Sequence, residues 1–279
     1  MALNFDALEA SLPQLREQYT SADAYPHIVL DDFFPSEVEA EAEREFPPLS
    51  AEAWLNFTHV NERKYSNTDP ATWGPTLQDM LADLQSDRFV AFLSKLTGIE
   101  GLTRDDSLEG GGLHQTPRDG FLNIHADFTV HPKHRHWQRR VNLILYLNGE
   151  WPAEYGGDLE VWSRDMKRCV TKVAPLGNRA LIFNTDADSY HGHPDPLKCP
   201  LERARRSMAL YYFTHEDAPV IHSTDYRARP GDSGAALIWL DKQVLRLYDR
   251  LKRPLHLSDD VGSRVLRVVD RVRHPFGRR

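Results

Sequence analysis

Arg140-Val141-Asn142-Leu143-Ile144-Leu145-Tyr146-Leu147-Asn148 is the stretch on which the fold turns. Branched and large apolar residues fill it, and Asn148-Gly149 supplies a turn signal at its end. It reads as a strand. Alternate strand residues share a face, so Asn142 and Tyr146 point the same way. Similar short runs lie downstream at Asp158-Leu159-Glu160-Val161-Trp162, Arg179-Ala180-Leu181-Ile182-Phe183 and Ser207-Met208-Ala209-Leu210-Tyr211-Tyr212-Phe213. Turn residues such as Gly156-Gly157 separate them. Strands at this spacing, from about 113 to 213, predict a β-sandwich or barrel.

The flanks differ. The first 100 or so residues read as mostly helical, with a short strand at Ile28-Val29-Leu30. Pro13 interrupts the apolar pattern of residues 2–19. Ser36 with Glu39 has the spacing of a capping box. Residues 76–96 carry Leu77, Met80, Leu81, Leu84, Phe89, Phe92, Leu93 and Leu96 at helical spacing, with Gly98 beyond the end. After Pro219 the chain reads as a loop through Arg229-Pro230-Gly231. Amphipathic helices are expected at 235–252 and 259–273. The Val261, Val265, Leu266 and Val269 stripe of the second would pack on the domain or form a homodimer contact. The fold class is mainly β with flanking helices, in the α+β sense.

Composition narrows the function. The chain has 279 residues and a net charge of −7, from 34 basic against 41 acidic side chains. That balance speaks against a general nucleic-acid binder. Two cysteines, Cys169 and Cys199, make no disulfide framework and fit a reducing cytoplasm. Residues 1–10 lack the basic start and apolar run of a signal peptide, and no stretch approaches the roughly 20 apolar residues of a membrane helix.

The chemistry is carried by His125-Ala126-Asp127. At i and i+2 of a strand, an imidazole and a carboxylate converge on one ion. A third ligand must come from elsewhere, and Ser189-Tyr190-His191-Gly192-His193 offers two candidates. His191 directly follows a strand and its turn. His193 lies a step further into a Pro-containing loop and suits a supporting or substrate-facing role. Two His and one carboxylate leave three positions open on octahedral Fe(II), enough for a bidentate keto acid and O2. His131, His134 and His136 sit among Lys and Arg and read as a solvated loop or a substrate-facing lid.

A keto acid also needs its far carboxylate neutralised. Arg does this with a planar fork that stays charged when buried. Arg205 and Ser207 share one face of the last strand, while Arg206 points away. Tyr146 and Asn142 could hydrogen-bond the same molecule.

In order, these pieces resemble the prolyl-4-hydroxylase-like branch of the Fe(II)/2-oxoglutarate oxygenases. The segments that carry the resemblance run over 120–128, 140–148, 155–162 and 205–213, and Tyr25-Pro26-His27-Ile28-Val29-Leu30-Asp31-Asp32-Phe33-Phe34 is similar to the family's opening segment. The resemblance implies a double-stranded β-helix (jelly-roll) core at about 113–215. That core would sit in one oxygenase domain spanning 1–219 with N-terminal helical support, followed by a helical appendage at 220–279. It assigns Fe(II) to His125, Asp127 and His191, and 2-oxoglutarate to Arg205, with Tyr146 and, less directly, Ser207. The implied reaction is hydroxylation of an unactivated C–H by O2, with release of succinate and CO2. The implied substrate is an amino acid, a peptidyl (prolyl-type) residue or a small metabolite. The stretches 127–146 and 191–205 are longer than in animal prolyl hydroxylases and leave the substrate open. Two rivals are a non-redox metal-binding jelly roll, such as a cupin-like isomerase or sensor, and a non-catalytic binding protein. Arg205 with Ser207 disfavours the first, and the intact triad disfavours the second.

Overall fold

In a computed structural model of the chain, residues 2–232 are described. The helices and the homodimer contact expected from residues 235–273 lie outside them. Four helices are α1 Phe5–Ser21, α2 Ser36–Glu45, α3 Pro75–Leu84 and α4 Asp87–Thr97. The strands are β1 His27–Leu30, β2 Leu55–His59, β3 Glu62–Asn67, β4 Thr103–Arg104, β5 Gly112–Pro117, β6 Phe121–Ala126 and β7 Trp137–Tyr146. They continue as β8 Leu159–Trp162, β9 Cys169–Val173, β10 Ala180–Asn184, β11 His191–His193, β12 Ala204–His215 and β13 Asp225–Tyr226. The strand order is β1-β10-β7-β12-β5-β3-β6-β11-β8-β9, and the pairings are antiparallel. The sheet curls into a near-barrel, the jelly-roll core expected from the sequence.

Strand alternation sorts two cores. Val141, Leu143 and Leu145 of β7, with Met208, Leu210 and Tyr212 of β12, face the helices and bury Leu77, Met80, Phe89 and Phe92. The opposite face turns Ile144, Tyr146, Leu181, Phe183, Leu159 and Val161 into the barrel. Each such side chain contributes about 1.5–3 kcal/mol by leaving water. The helices therefore brace one wall and leave the barrel interior to the site.

The N-terminal third departs from its expected, mostly helical reading. β2 and β3 form a hairpin there, and β3 joins β5 to β6. Its inward residues include Glu62 and Lys64, so no apolar run marks it. The helix expected over 76–96 is two, because Ser86 caps a new start by accepting from the Phe89 amide. The Ser36–Glu39 capping box is not formed: Pro35 is the N-cap and Ser36 Oγ turns to Glu37. Pro13 lies inside α1, which continues through it.

The His-rich loop is also more ordered than either sequence reading. His134 and His136 are exposed and stack on Trp137 and His215. His131, in contrast, is buried. Its Nδ1 accepts from the Lys133 and His134 amides, which leaves Nε2–H 3.2 Å from Asp105 Oδ2. Burial alone would raise the Asp105 carboxyl. Bonds from the Ser107 hydroxyl and the Glu109 and Ser107 amides outweigh it and hold the group below the usual carboxylate value. A depressed folded value stabilises above the unfolded pKa of about 3.9 and loses that stabilisation as pH falls through the folded value. Asp105→Ala is therefore expected to lose roughly 1–3 kcal/mol of stability at neutral pH. Denaturant titrations should show the gap from wild type narrowing below about pH 4. A gap constant with pH would assign the loss to packing instead.

Candidate active site

His125 is the last residue but one of β6 and His191 opens β11, and the two are direct partners in the ladder. Asp127 follows one residue beyond β6. His125 Nε2 lies 3.4 Å from Asp127 Oδ1, and His191 Nε2 lies 3.6 Å from Asp127 Oδ2. One donor atom from each of the three residues falls within 4.8 Å of the others. Among the described residues this is the one such His/Asp group.

The backbone fixes both tautomers. His125 Nδ1 sits 2.9 Å from the Asn123 carbonyl, and His191 Nδ1 2.9 Å from the Ser189 carbonyl. A carbonyl only accepts, so each Nδ1 carries the hydrogen and each Nε2 lone pair faces Asp127. Burial, then His125, pushes His191 down to about 4, so its imidazole is neutral at physiological pH. Burial alone would raise Asp127, but the Arg139 guanidinium outweighs it and holds the carboxyl well below the usual carboxylate range.

Arg139 is the residue that the sequence reading missed. It is 0% exposed, with its guanidinium 3.4 Å from the Tyr211 ring centroid and 4.7 Å from that of Phe128. Its NH2 lies 3.2 Å from Asp127 Oδ2, and its Nε donates to Asn142 Oδ1 at 2.8 Å. Asn142 Nδ2 in turn donates to Asp127 Oδ2 at 2.7 Å. Asn142, expected on the keto acid, is thus committed to the carboxylate of Asp127. A bulge in β7 explains why Arg139 was hidden. Tyr212 pairs with Val141 and Phe213 with Arg139, so Arg140 is an extra residue. The bulge turns Arg139 to the same side as Asn142, against simple alternation.

The barrel floor belongs to Arg205. It is 6% exposed, and its Nε donates to the Gly157 carbonyl at 2.8 Å and its NH2 to Tyr146 Oη at 3.2 Å. Among the described residues it has no ion-pair partner, and Asp158 acts on it from further off. Ser207 stands opposite Tyr146 and His114 on the same inner face. Arg206 turns outward and lies over the Phe46 ring. Gly157 has φ +87°, and a Cβ there would stand 2.6 Å from Leu197 and 3.1 Å from Arg205 Cδ. Gly157 thus shapes the wall that seats the guanidinium as well as a turn. Lys64 enters the same interior, 3.2 Å from Glu62, and His114 is pushed down to about 3 by burial and then by Lys64.

Residues 111–213 match the 2OG-Fe(II) oxygenase superfamily. The chain carries a 2OG-Fe(II) oxygenase domain. This oxygenase is a dioxygenase that uses Fe(II) and 2-oxoglutarate. Its fold is similar to that of a prolyl hydroxylase from Trichoplax adhaerens, solved with a hypoxia inducible factor peptide fragment. That match has 17% identity and a TM-score of 0.54, and covers 75% of this chain and 91% of the other. A prolyl 4-hydroxylase from Phytophthora capsici aligns at 18% identity with a TM-score of 0.53, over 77% of this chain and 66% of that one. No curated protein matches the sequence. No described helix of the oxygenase is long and apolar enough to cross a membrane.

Proposed function

We propose that His125, Asp127 and His191 hold Fe(II), and that Arg205, with Tyr146 and Ser207, holds the far carboxylate of 2-oxoglutarate. The observation that supports this reading best is the pairing of two incomplete groups in one barrel. Two Nε2 lone pairs and a carboxylate converge at its mouth, and a buried guanidinium that has no carboxylate partner among the described residues stands at its floor. The donor set fits Fe(II), and two His with one carboxylate leave positions open for a bidentate keto acid and O2. Bound together, Fe(II) and 2-oxoglutarate supply the oxidising power that puts one O2 oxygen into a substrate C–H and releases succinate and CO2.

The chain's own residues position these groups. Asn123 and Ser189 carbonyls orient the imidazoles. Arg139 and Asn142 grip Asp127 Oδ2 and keep the carboxylate ionised and aimed. Phe183 packs its ring 4.7 Å from that of His191, and Tyr226 lies 5.5 Å from His125, which limits water around the ligands. The substrate is an amino acid, a peptidyl residue of prolyl type or a small metabolite. The free thiols Cys169 and Cys199 support a reducing, cytoplasmic setting. The homodimer through residues 235–273 is a proposal from sequence.

The experiment is O2 uptake and succinate release by protein loaded anaerobically with Fe(II), across a panel of peptides and metabolites. Succinate formed in step with a hydroxylated product supports the reading. Iron-loaded protein that neither binds nor consumes 2-oxoglutarate would sink it. Asn142→Ala is expected to weaken iron about 10- to 100-fold by releasing one hold on Asp127. Anaerobic Fe(II) titration checks this; unchanged iron affinity with weakened 2-oxoglutarate would return Asn142 to the cosubstrate.

A further inference from the structure

β11 carries two histidines, His191-Gly192-His193, and the metal reading uses one. Both imidazoles are buried, His193 at 3% exposure. His191 stands opposite His125 and His193 opposite Leu122, with a shift in register between the two pairs. Between them, a Cβ on Gly192 would stand 2.7 Å from the Asn123 carbonyl oxygen and 2.8 Å from that of Leu122. That close approach locks the strand against β6 and fixes where His193 points. A step of two residues carries it roughly 6–7 Å along the strand from His191. The charged groups that act on it there are Arg205 and Lys64, besides His125.

His193 Nδ1 is enclosed and has no hydrogen-bond partner. Native folds leave few such atoms, and each costs about 1–3 kcal/mol. The neighbouring Arg205 has the matching deficit, a buried cation with no carboxylate among the described residues. One small molecule with several acceptor oxygens answers both. Arg205 and Lys64 only donate, and neither bonds Nδ1, so an Nδ1–H finds its acceptor in a carboxylate of the bound molecule.

Building on the proposed site, we infer that His193 is a further contact to 2-oxoglutarate, its Nδ1–H donating to a carboxylate oxygen of the bound cosubstrate. Such a donor completes a grip that Arg205 begins. It also explains why an imidazole, rather than an aliphatic side chain, occupies an inward position beside a cation. His193 takes no part in holding the metal.

The test compares full-length wild type, His193→Leu and His193→Asn, each loaded anaerobically with Fe(II) and titrated with 2-oxoglutarate. Leucine keeps the volume and removes the donor; asparagine restores an N–H near the Nδ1 position. The Fe(II)–2-oxoglutarate charge-transfer band reads cosubstrate affinity, and a separate Fe(II) titration reads the metal. His193→Leu should weaken 2-oxoglutarate about tenfold, His193→Asn by less than about threefold, and iron affinity should stay unchanged in both. The inference is overturned by wild-type affinity in His193→Leu, by equal losses in the two variants, or by lost iron. Absence of any 2-oxoglutarate binding in the wild type would remove the site reading as well. Normal wild-type binding with an unaffected His193→Leu removes this inference alone.

Discussion

His125→Ala and His191→Ala are each expected to abolish iron-dependent 2-oxoglutarate turnover, while His193→Ala keeps its iron. Each ligand variant removes one of three protein donors, and a facial site that loses one donor no longer holds Fe(II) in working geometry. Both imidazoles are fixed by backbone carbonyls, which aim each Nε2 at the proposed ion. Asp127→Ala should be inactive too, and it should also unfold more easily. It strips Arg139 of its carboxylate partner inside the protein, and an uncompensated buried charge costs roughly 3–5 kcal/mol. Asp127→Asn spares much of that cost and separates ligation from stability. Iron titration, turnover and thermal melting on the four alanine variants decide the matter. Iron retained by His191→Ala and lost by His193→Ala would exchange the roles of the two histidines.

Arg205→Ala is expected to lower 2-oxoglutarate affinity by about two to three orders of magnitude. Its guanidinium is enclosed, tied to the Gly157 carbonyl and the Tyr146 hydroxyl, and charged. Removing it would leave the cosubstrate carboxylate buried and unmatched, a penalty of roughly 3–5 kcal/mol. Arg205→Lys keeps the charge, loses the fork and should fall between. Arg206→Ala should leave cosubstrate binding intact, because Arg206 faces Phe46 on the helix side of the sheet. Anaerobic titration of the charge-transfer band measures all three, with iron binding unchanged throughout. If Arg206→Ala, not Arg205→Ala, destroyed binding, the inner face of β12 would have to be assigned to the other residue set.

The barrel strands were legible because their apolar side chains fill two cores at once. Val141, Leu143 and Leu145 meet the helices while Ile144 and Tyr146 fill the barrel, which leaves a nearly continuous apolar run. His125 and Asp127 were legible through spacing and His191 through the family resemblance, and the structure brings the three together. What stayed hidden is polar or irregular. β3 turns Glu62 and Lys64 inward, so the strand looks like surface. Arg139 reads as one more charge in His134-Arg135-His136-Trp137-Gln138-Arg139-Arg140, and only the bulge in β7, seen in its pairing with the much later β12, reveals its direction. His131 is buried by Asp105, a partner too far along the sequence for local pattern to find. The site is written in long-range register, which composition and periodicity do not carry.

β3 pairs with β5 and also with β6, and so joins the two halves of the sheet. The family likeness spans residues 111–213, which excludes β3, β1 and the four described α-helices. A fragment cut to that likeness would therefore be no free-standing module. It would bare the edges of β5, β6 and β10 to self-association and expose the wall that α3 and α4 now cover. The portable unit of this chemistry is larger than its signature, and grafting or truncation has to carry the N-terminal hairpin along.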